Sequence, residues 1–439
     1  MKLFDKSFSL FFVACGWLLI FLPKINLISF DKETAGIRID DVMLLFFALA
    51  IGWAHFALQK RINPIEGWTA AIIFSGIISF VLNRFFIAEE WIHVKANLFY
   101  CLRLAEYFIF FYIGAFSARF SNVSTLMKAF FLWNILLIAL QKLGLIGQFT
   151  VDGYNPYVSG RSLGIASFPS EGGMLLNLMF CFFIYSDETN TRLRKLIPPN
   201  FRSFFAETYV YWMFLLFSIL IIFTGSRIAL VGLAIPFLFR IKDQFKARSF
   251  ASWFFAISFL SAAIFMTVVM IQNNKAISER STGLLSIKNL ELISIVWDSI
   301  DITSDPGDYE SVKFQDYDLS WWMRIHKWCY LLKAYALHPE CWLQGVGPGV
   351  ALAAVDGGLI RILTEYGLIG CYLFWRLFRS ISQQSVQLHW MIIAFALNMI
   401  FFDVYLAYKP MSIIFFVSGW TWVHAHSLRP SERCIRALA

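Results

Sequence analysis

Four arginines carry the most distinctive chemistry of this 439-residue chain. Arg161 lies in Gly160-Arg161-Ser162-Leu163-Gly164, Arg227 follows the turn Thr224-Gly225-Ser226, Arg324 sits in the run Trp321 to Trp328, and Arg361 opens an apolar stretch. A guanidinium donates two parallel hydrogen bonds to one anion and keeps its charge when partly desolvated, so several arginines converging near one face suit a diphosphate. Taken singly, each also reads as an interfacial anchor or as an ion pair with Glu171 or Asp356. Three side chains are candidates to take a proton beside them: Asp356, His338 and Glu171. Asp356 leads, because a carboxylate followed by Gly357-Gly358 has room to approach a substrate; it fits equally well as the cap of the helix that follows. His338, before Pro339, belongs to a helix-ending step. Arg103 and Glu106, three apart on one helix face, read as an internal ion pair.

The elements that must position these groups are apolar. Hydrophobic residues make up 59% of the chain and charged ones 15%, with 48 Phe and 16 Trp, whereas an average soluble domain carries about 25% charge. This composition describes an all-α polytopic membrane protein. Apolar runs near the ~20 residues that cross ~30 Å of hydrocarbon fall at 8–28, 41–58, 68–87, 97–116, 125–145, 171–186, 208–224, 227–240, 250–271, 358–378, 388–404 and 408–425, about 12 spans. The sixth and eighth are short, which leaves room for a re-entrant piece. Lys and Arg concentrate in loops on the side of both termini, which the positive-inside rule places in the cytoplasm. The net charge of +8 is thus a topology signal, with no nucleic acid to invoke. No cleavable signal peptide is evident.

The organisation that follows is an N-terminal bundle of about nine helices over 1–271, one large polar outer loop over 272–357, and three helices with a short tail over 358–439. Within the loop, Trp322, Ile325, Cys329, Leu332 and Ala336 recur at helical spacing and predict an amphipathic helix to Leu337, suited to lie along the membrane surface. Gly345-Val346-Gly347-Pro348-Gly349 then reads as a flexible turn. Cys329 and Cys341 share the outer side, where oxidation is permitted, so a bridge between them is one reading and free thiols the other. No phosphate-cradling GxxxxGK[ST], dinucleotide-binding GxGxxG, CxxC pair or HExxH occurs. Nucleotide-powered chemistry has no support, and any reaction must use membrane-borne or outer-side substrates.

Several segments, taken in order, resemble the O-antigen ligase and polymerase superfamily. They are Thr224-Gly225-Ser226-Arg227-Ile228-Ala229-Leu230, Arg324 with Trp328 on a helix ending at His338-Pro339, Gly345-Val346-Gly347, and Leu359 through Gly370. Arg161 with Pro169-Ser170-Glu171 is similar to that superfamily's arginine loop. The resemblance implies a metal-independent, cofactor-free glycosyltransferase with a bundle like the C-type glycosyltransferases, in the bacterial inner membrane. Its implied substrates are undecaprenyl-diphosphate-linked glycans, donor and acceptor, at the periplasmic face; implied partners are membrane lipids, a chain-length regulator and a flippase. Ligases of the superfamily place a histidine four positions before a leucine late in the outer loop. Here Asp356 stands three positions before Leu359, which favours the polymerase branch over a ligase that transfers glycan to lipid A core. A lipid-linked oligosaccharide flippase is the alternative from another class.

On that reading, an acceptor hydroxyl attacks the anomeric carbon of the donor while lipid diphosphate leaves. Arg161, Arg227, Arg324 and Arg361 hold the diphosphate, and Asp356, His338 or Glu171 takes the proton.

Overall fold

The computed structural model describes residues 6–23, 26–29, 36–38, 44, 63–86, 94–120, 122–150, 153–156, 160–185, 202–245, 261, 287–302, 319–350 and 355–427. Among these, helix α1 runs Lys6–Phe21, α2 Pro64–Phe86, α3 Val94–Phe120, α4 Val123–Lys142, α5 Pro169–Ile184 and α6 Arg202–Thr224. They continue with α7 Arg227–Phe245, α8 Ile287–Ser299, α9 Leu319–Leu337, α10 Gly358–Ser382, α11 Val386–Met399 and α12 Tyr408–Ser427. Two short antiparallel hairpins, Asn26–Ser29 with Gly36–Arg38 and Gln148–Thr150 with Gly153–Asn155, are the strands among the described residues.

This is a helical membrane protein. The stretches Pro64–Leu82, Tyr100–Ala118 and Val123–Lys142 are 19, 19 and 20 residues long and apolar, and at 1.5 Å per residue each covers close to ~30 Å. Their outward side chains are apolar too, as lipid requires: Phe74 and Leu132 are 64% and 65% exposed. Three such helices are fewer than the twelve crossings expected. The expected spans 41–58 and 250–271 lie outside the described residues apart from Leu44 and Ser261, and Leu10–Phe21, Pro169–Ile184, Tyr209–Thr224 and Val386–Met399 are apolar but short. For α5 the cause is visible. The loop before it is buried, with Ser162, Ile165 and Ala166 fully enclosed, so non-helical backbone enters the bundle where protein surrounds it.

Local chemistry sets the helix ends. Asn122 caps α4 by accepting from the Thr125 amide at 3.2 Å, and Ser385 caps α11 by accepting from Leu388 at 3.1 Å. In the core, α3 and α12 touch backbone to backbone. A Cβ on Gly114 would strike the Phe416 carbonyl, and one on Gly419 the Phe111 carbonyl, so each helix supplies the glycine that admits the other. Aromatic rings close around this crossing, Phe108 against Phe415 at 5.4 Å and Tyr107 against Tyr408 at 6.0 Å.

The expected amphipathic helix is α9. Trp322, Ile325 and Cys329 are buried, while Leu332 is half-buried and Ala336 exposed. The buried stripe meets α8 through Leu292, Val296 and Ile300, so a second helix covers the face that was expected to meet the membrane surface. Lys333 donates from Nζ to the carbonyls of Trp297 at 2.8 Å and Ile300 at 2.9 Å, placing a cation at the C-terminal end of α8, where the helix dipole favours it. Cys329 and Cys341 are free thiols in this core; burial pushes each up to about 11.

Candidate functional site

The bundle gathers many helix ends at one pole. Gln141, in the last turn of α4, exchanges two hydrogen bonds with Gly164, donating at 3.0 Å and accepting at 2.7 Å. The Ser162 amide donates to the Phe223 carbonyl, at the end of α6, at 2.8 Å. Lys409, at the start of α12, donates from Nζ to the Leu19 and Ile20 carbonyls, at the end of α1, at 2.6 and 3.1 Å. The turn between α11 and α12 reaches the start of α10 through Asp403. Arg161, Arg227, Glu171, Asp356 and Arg361 all belong to the loops and helix ends of this pole.

Two of the arginines stand on adjoining turns. Gly225 has φ +76°, and a Cβ there would lie 3.2 Å from the Arg161 side chain; Arg227 opens α7 two residues later. Both arginines are half-buried. Beside them in the chain, the hydroxyls of Ser162 and Ser226 have no hydrogen-bond partner among the described residues, although these residues are 0% and 3% exposed. Buried polar atoms are normally satisfied, so two cations, two open hydroxyls and the start of α7 make a place fit for an anion.

Glu171 is differently employed. Its Oε2 accepts from the Ser167 amide at 2.9 Å and its Oε1 from the Lys409 amide at 3.2 Å. A carboxylate in the first helical turn that reaches back to the preceding backbone is a capping device, and here it also ties α5 to α12. His338 lies farther off. It ends α9 with its Nδ1 2.8 Å from Glu340 Oε1, about 20 Å along that helix from Arg324. The structure does not bring it to the other candidates on α9 and α10.

Arg324 and Asp356 do come together. The guanidinium Nε donates to Asp356 Oδ2 at 3.1 Å, with side chains 20% and 34% exposed. Desolvation holds the Asp356 carboxyl above the usual carboxylate range, against the pull of Arg324. Asp356 has φ +55°, the one positive φ at a non-glycine position among the described residues. The Trp328 indole fastens α9 over this turn by donating to the Val355 carbonyl at 3.1 Å. Lys327, also buried, feels Asp356 and Asp403; burial lowers its ammonium nonetheless.

Arg361 lies inside. It is 1% exposed, donates to Glu365 Oε1 and Asp403 Oδ2 at 2.9 Å each, and lies 4.9 Å from the Tyr100 ring centroid. Its partners hold the start of α10 together, so its observed role is structural. Arg324, Lys327 and Arg361 face Asp356, Glu365 and Asp403, a set balanced in sign, whereas Arg161 and Arg227 stand beside the open hydroxyls of Ser162 and Ser226.

The glycine-rich turn is built into α10. That helix breaks at Gly367 (φ +66°), and the break is filled from the loop: Val346 and Gly347 donate to the Thr364 and Glu365 carbonyls at 2.7 and 3.0 Å, while Leu368 and Ile369 donate to Trp342 and Leu343 at 3.0 Å each. Residues 345–350 are all buried. The glycines expected to give flexibility instead allow close backbone contact.

No family model matches this chain, and no curated protein is detectably similar to it. Sequence reasoning passed over Asp403, Lys409, Glu365 and Lys327. The signal for the first three was present: each is a charge in or beside an apolar run, where it is expensive and therefore placed for a reason.

Proposed function

We propose that this protein is a membrane glycosyltransferase that polymerises undecaprenyl-diphosphate-linked oligosaccharide repeat units at the periplasmic face, in the manner of the O-antigen polymerases. The observation that carries the reading is the gathering, at one pole of a helical bundle, of the Arg161 and Arg227 turns with their open hydroxyls and of the Arg324–Asp356 pair. In the proposed step, the acceptor hydroxyl oxygen bonds to the anomeric carbon of the donor and the carbon–oxygen bond to diphosphate breaks. The hydroxyl proton passes to the Asp356 carboxylate, and the charge left on the diphosphate is met by Arg161 and Arg227. Arg324 is available to both ends. A half-exposed ion pair contributes ~0–1 kcal/mol, so an incoming diphosphate can draw its guanidinium away and leave Asp356 free to accept the proton. Val355 four positions before Leu359, where a ligase would place its histidine, supports the polymerase branch.

The test is a strain in which Arg161→Ala or Arg227→Ala replaces the wild-type gene. Surface glycan of single repeat units at unchanged protein level is expected; long chains persisting in both strains would sink the reading. Polymer left on its lipid carrier and absent from lipid A core in a deletion strain would indicate the ligase. The break in α10 favours a second reading, the flippase, since discontinuous helices form substrate sites in transporters. Repeat units accumulating on the cytoplasmic side in the deletion strain would decide for it.

A further inference from the structure

We infer that Asp403 is the positioning residue of the site, holding Asp356 in the orientation its chemistry needs; this rests on the reading of Asp356 as the proton acceptor. The Asp403 carboxylate straddles the turn that bears Asp356. Its Oδ2 accepts from the Val355 amide at 2.7 Å and its Oδ1 from the Gly357 amide at 3.1 Å, the two backbone donors on either side of Asp356. Its Oδ2 also accepts from Arg361 Nη1 at 2.9 Å, which fixes the carboxylate to the first turn of α10.

Between the two amides, Asp356 adopts φ +55°, a left-handed conformation that aspartate and asparagine tolerate better than most residues with a Cβ, at a cost that glycine does not bear. Glycine follows on both positions 357 and 358, yet it is the aspartate that occupies the left-handed position. Gly357 has its own reason to be glycine: a Cβ there would lie 2.6 Å from the Trp328 indole nitrogen. The left-handed position thus falls on the one side chain of the turn that can do acid–base chemistry. Asp403 comes from the connection between α11 and α12, so the last described helices clamp a residue of the outer loop.

The experiment uses the purified full chain in detergent, with thermal unfolding and polymer formation from a diphosphate-linked repeat unit as readouts. Asp403→Ala is expected to lower the unfolding temperature markedly, and by less when Asp356→Gly is also present, because glycine takes the left-handed conformation without help; the loss of the Arg361 partner is common to both backgrounds. Equal losses in the two backgrounds would overturn the inference. Asp403→Asn, which keeps one acceptor, is expected to lower kcat on the order of ten-fold with KM unchanged; a raised KM at constant kcat would also overturn it. Asp356→Asn tolerates the same backbone but lacks the carboxylate. Unchanged kcat in that variant removes Asp356 as proton acceptor, and the paired unfolding result still decides whether Asp403 holds the turn.

Discussion

The amide of Val346 donates to the carbonyl of Thr364 at 2.7 Å, across the break in α10. A loop segment therefore supplies hydrogen bonds that a continuous helix would make for itself, and Ser79 of α2 reinforces the junction by donating to the Gly345 carbonyl at 3.2 Å. The polar loop before α10 and the bundle are one folded unit at this point.

Gly345→Ala should unfold that junction. Gly345 has φ +79°, and a Cβ would collide with the Glu365 carbonyl, so strain and clash act together at a cost on the order of 3 kcal/mol. Thermal unfolding of the purified variant should show a fall of several degrees; an unaltered transition would mean that the loop does not contribute to the folded state.

Arg324→Gln should move the acid limb of the pH–rate profile upward. Asp356 must be ionised to accept a proton, so activity rises as pH passes its pKa, which burial already raises. Arg324 opposes that rise, and removing it lifts the pKa further. The limb should shift to higher pH in initial-rate measurements of polymer formation. A shift to lower pH would exclude Asp356 as the titrating group.

Ser162→Ala and Ser226→Ala should weaken substrate binding while leaving the fold intact. Their hydroxyls are buried without partners among the described residues, so no hydrogen bond between described residues is lost when they go. If each serves the diphosphate, its loss costs about 1 kcal/mol, roughly five-fold in KM, at unchanged unfolding temperature. Unchanged KM in both would place the diphosphate elsewhere.

Stability should fall on mild acidification through His326. Burial and the neighbouring Lys327 hold its imidazole below the usual value of 6.5, so the unfolded chain takes up a proton first. The stabilisation is complete above pH ~6.5 and is lost as pH falls through the lower, folded value. His326→Phe, which preserves stacking on Trp322 at a centroid distance of 5.0 Å in the native protein, should flatten the unfolding temperature between pH 7 and pH 5. A slope identical to wild type would assign the effect to other groups.

Much of the bundle was legible in the sequence because lipid imposes a single rule on every span. The apolar runs at 68–87, 97–116 and 125–145 correspond to helices α2, α3 and α4. The amphipathic stripe of α9 was legible through Cys329, after which Ala336 emerges into exposure. Less legible was what each glycine was for: motifs rich in glycine look alike whether they flex or pack, and only the position of Glu365 and Trp328 in space decides between them. The site was half legible. Arg324 and Asp356 were named for chemistry and are neighbours 3.1 Å apart, but nothing in the local sequence links either to Asp403, 47 positions beyond Asp356. Glu171 lies in a helical first turn, where its carboxylate takes two backbone amides, and His338 lies at the far end of α9 beside Glu340.

The contact between α3 and α12 through Gly114 and Gly419 also sets a schedule for biogenesis. The two glycines are about 300 residues apart, and at ~5–20 residues per second a ribosome needs roughly 15–60 s to travel between them. Throughout that interval the groove on α3 is inserted without the helix that fills it. A nascent chain stalled or truncated before α12 therefore presents an open seam to the insertion machinery and to membrane proteases, and the arrival of α12 is the event that seals it.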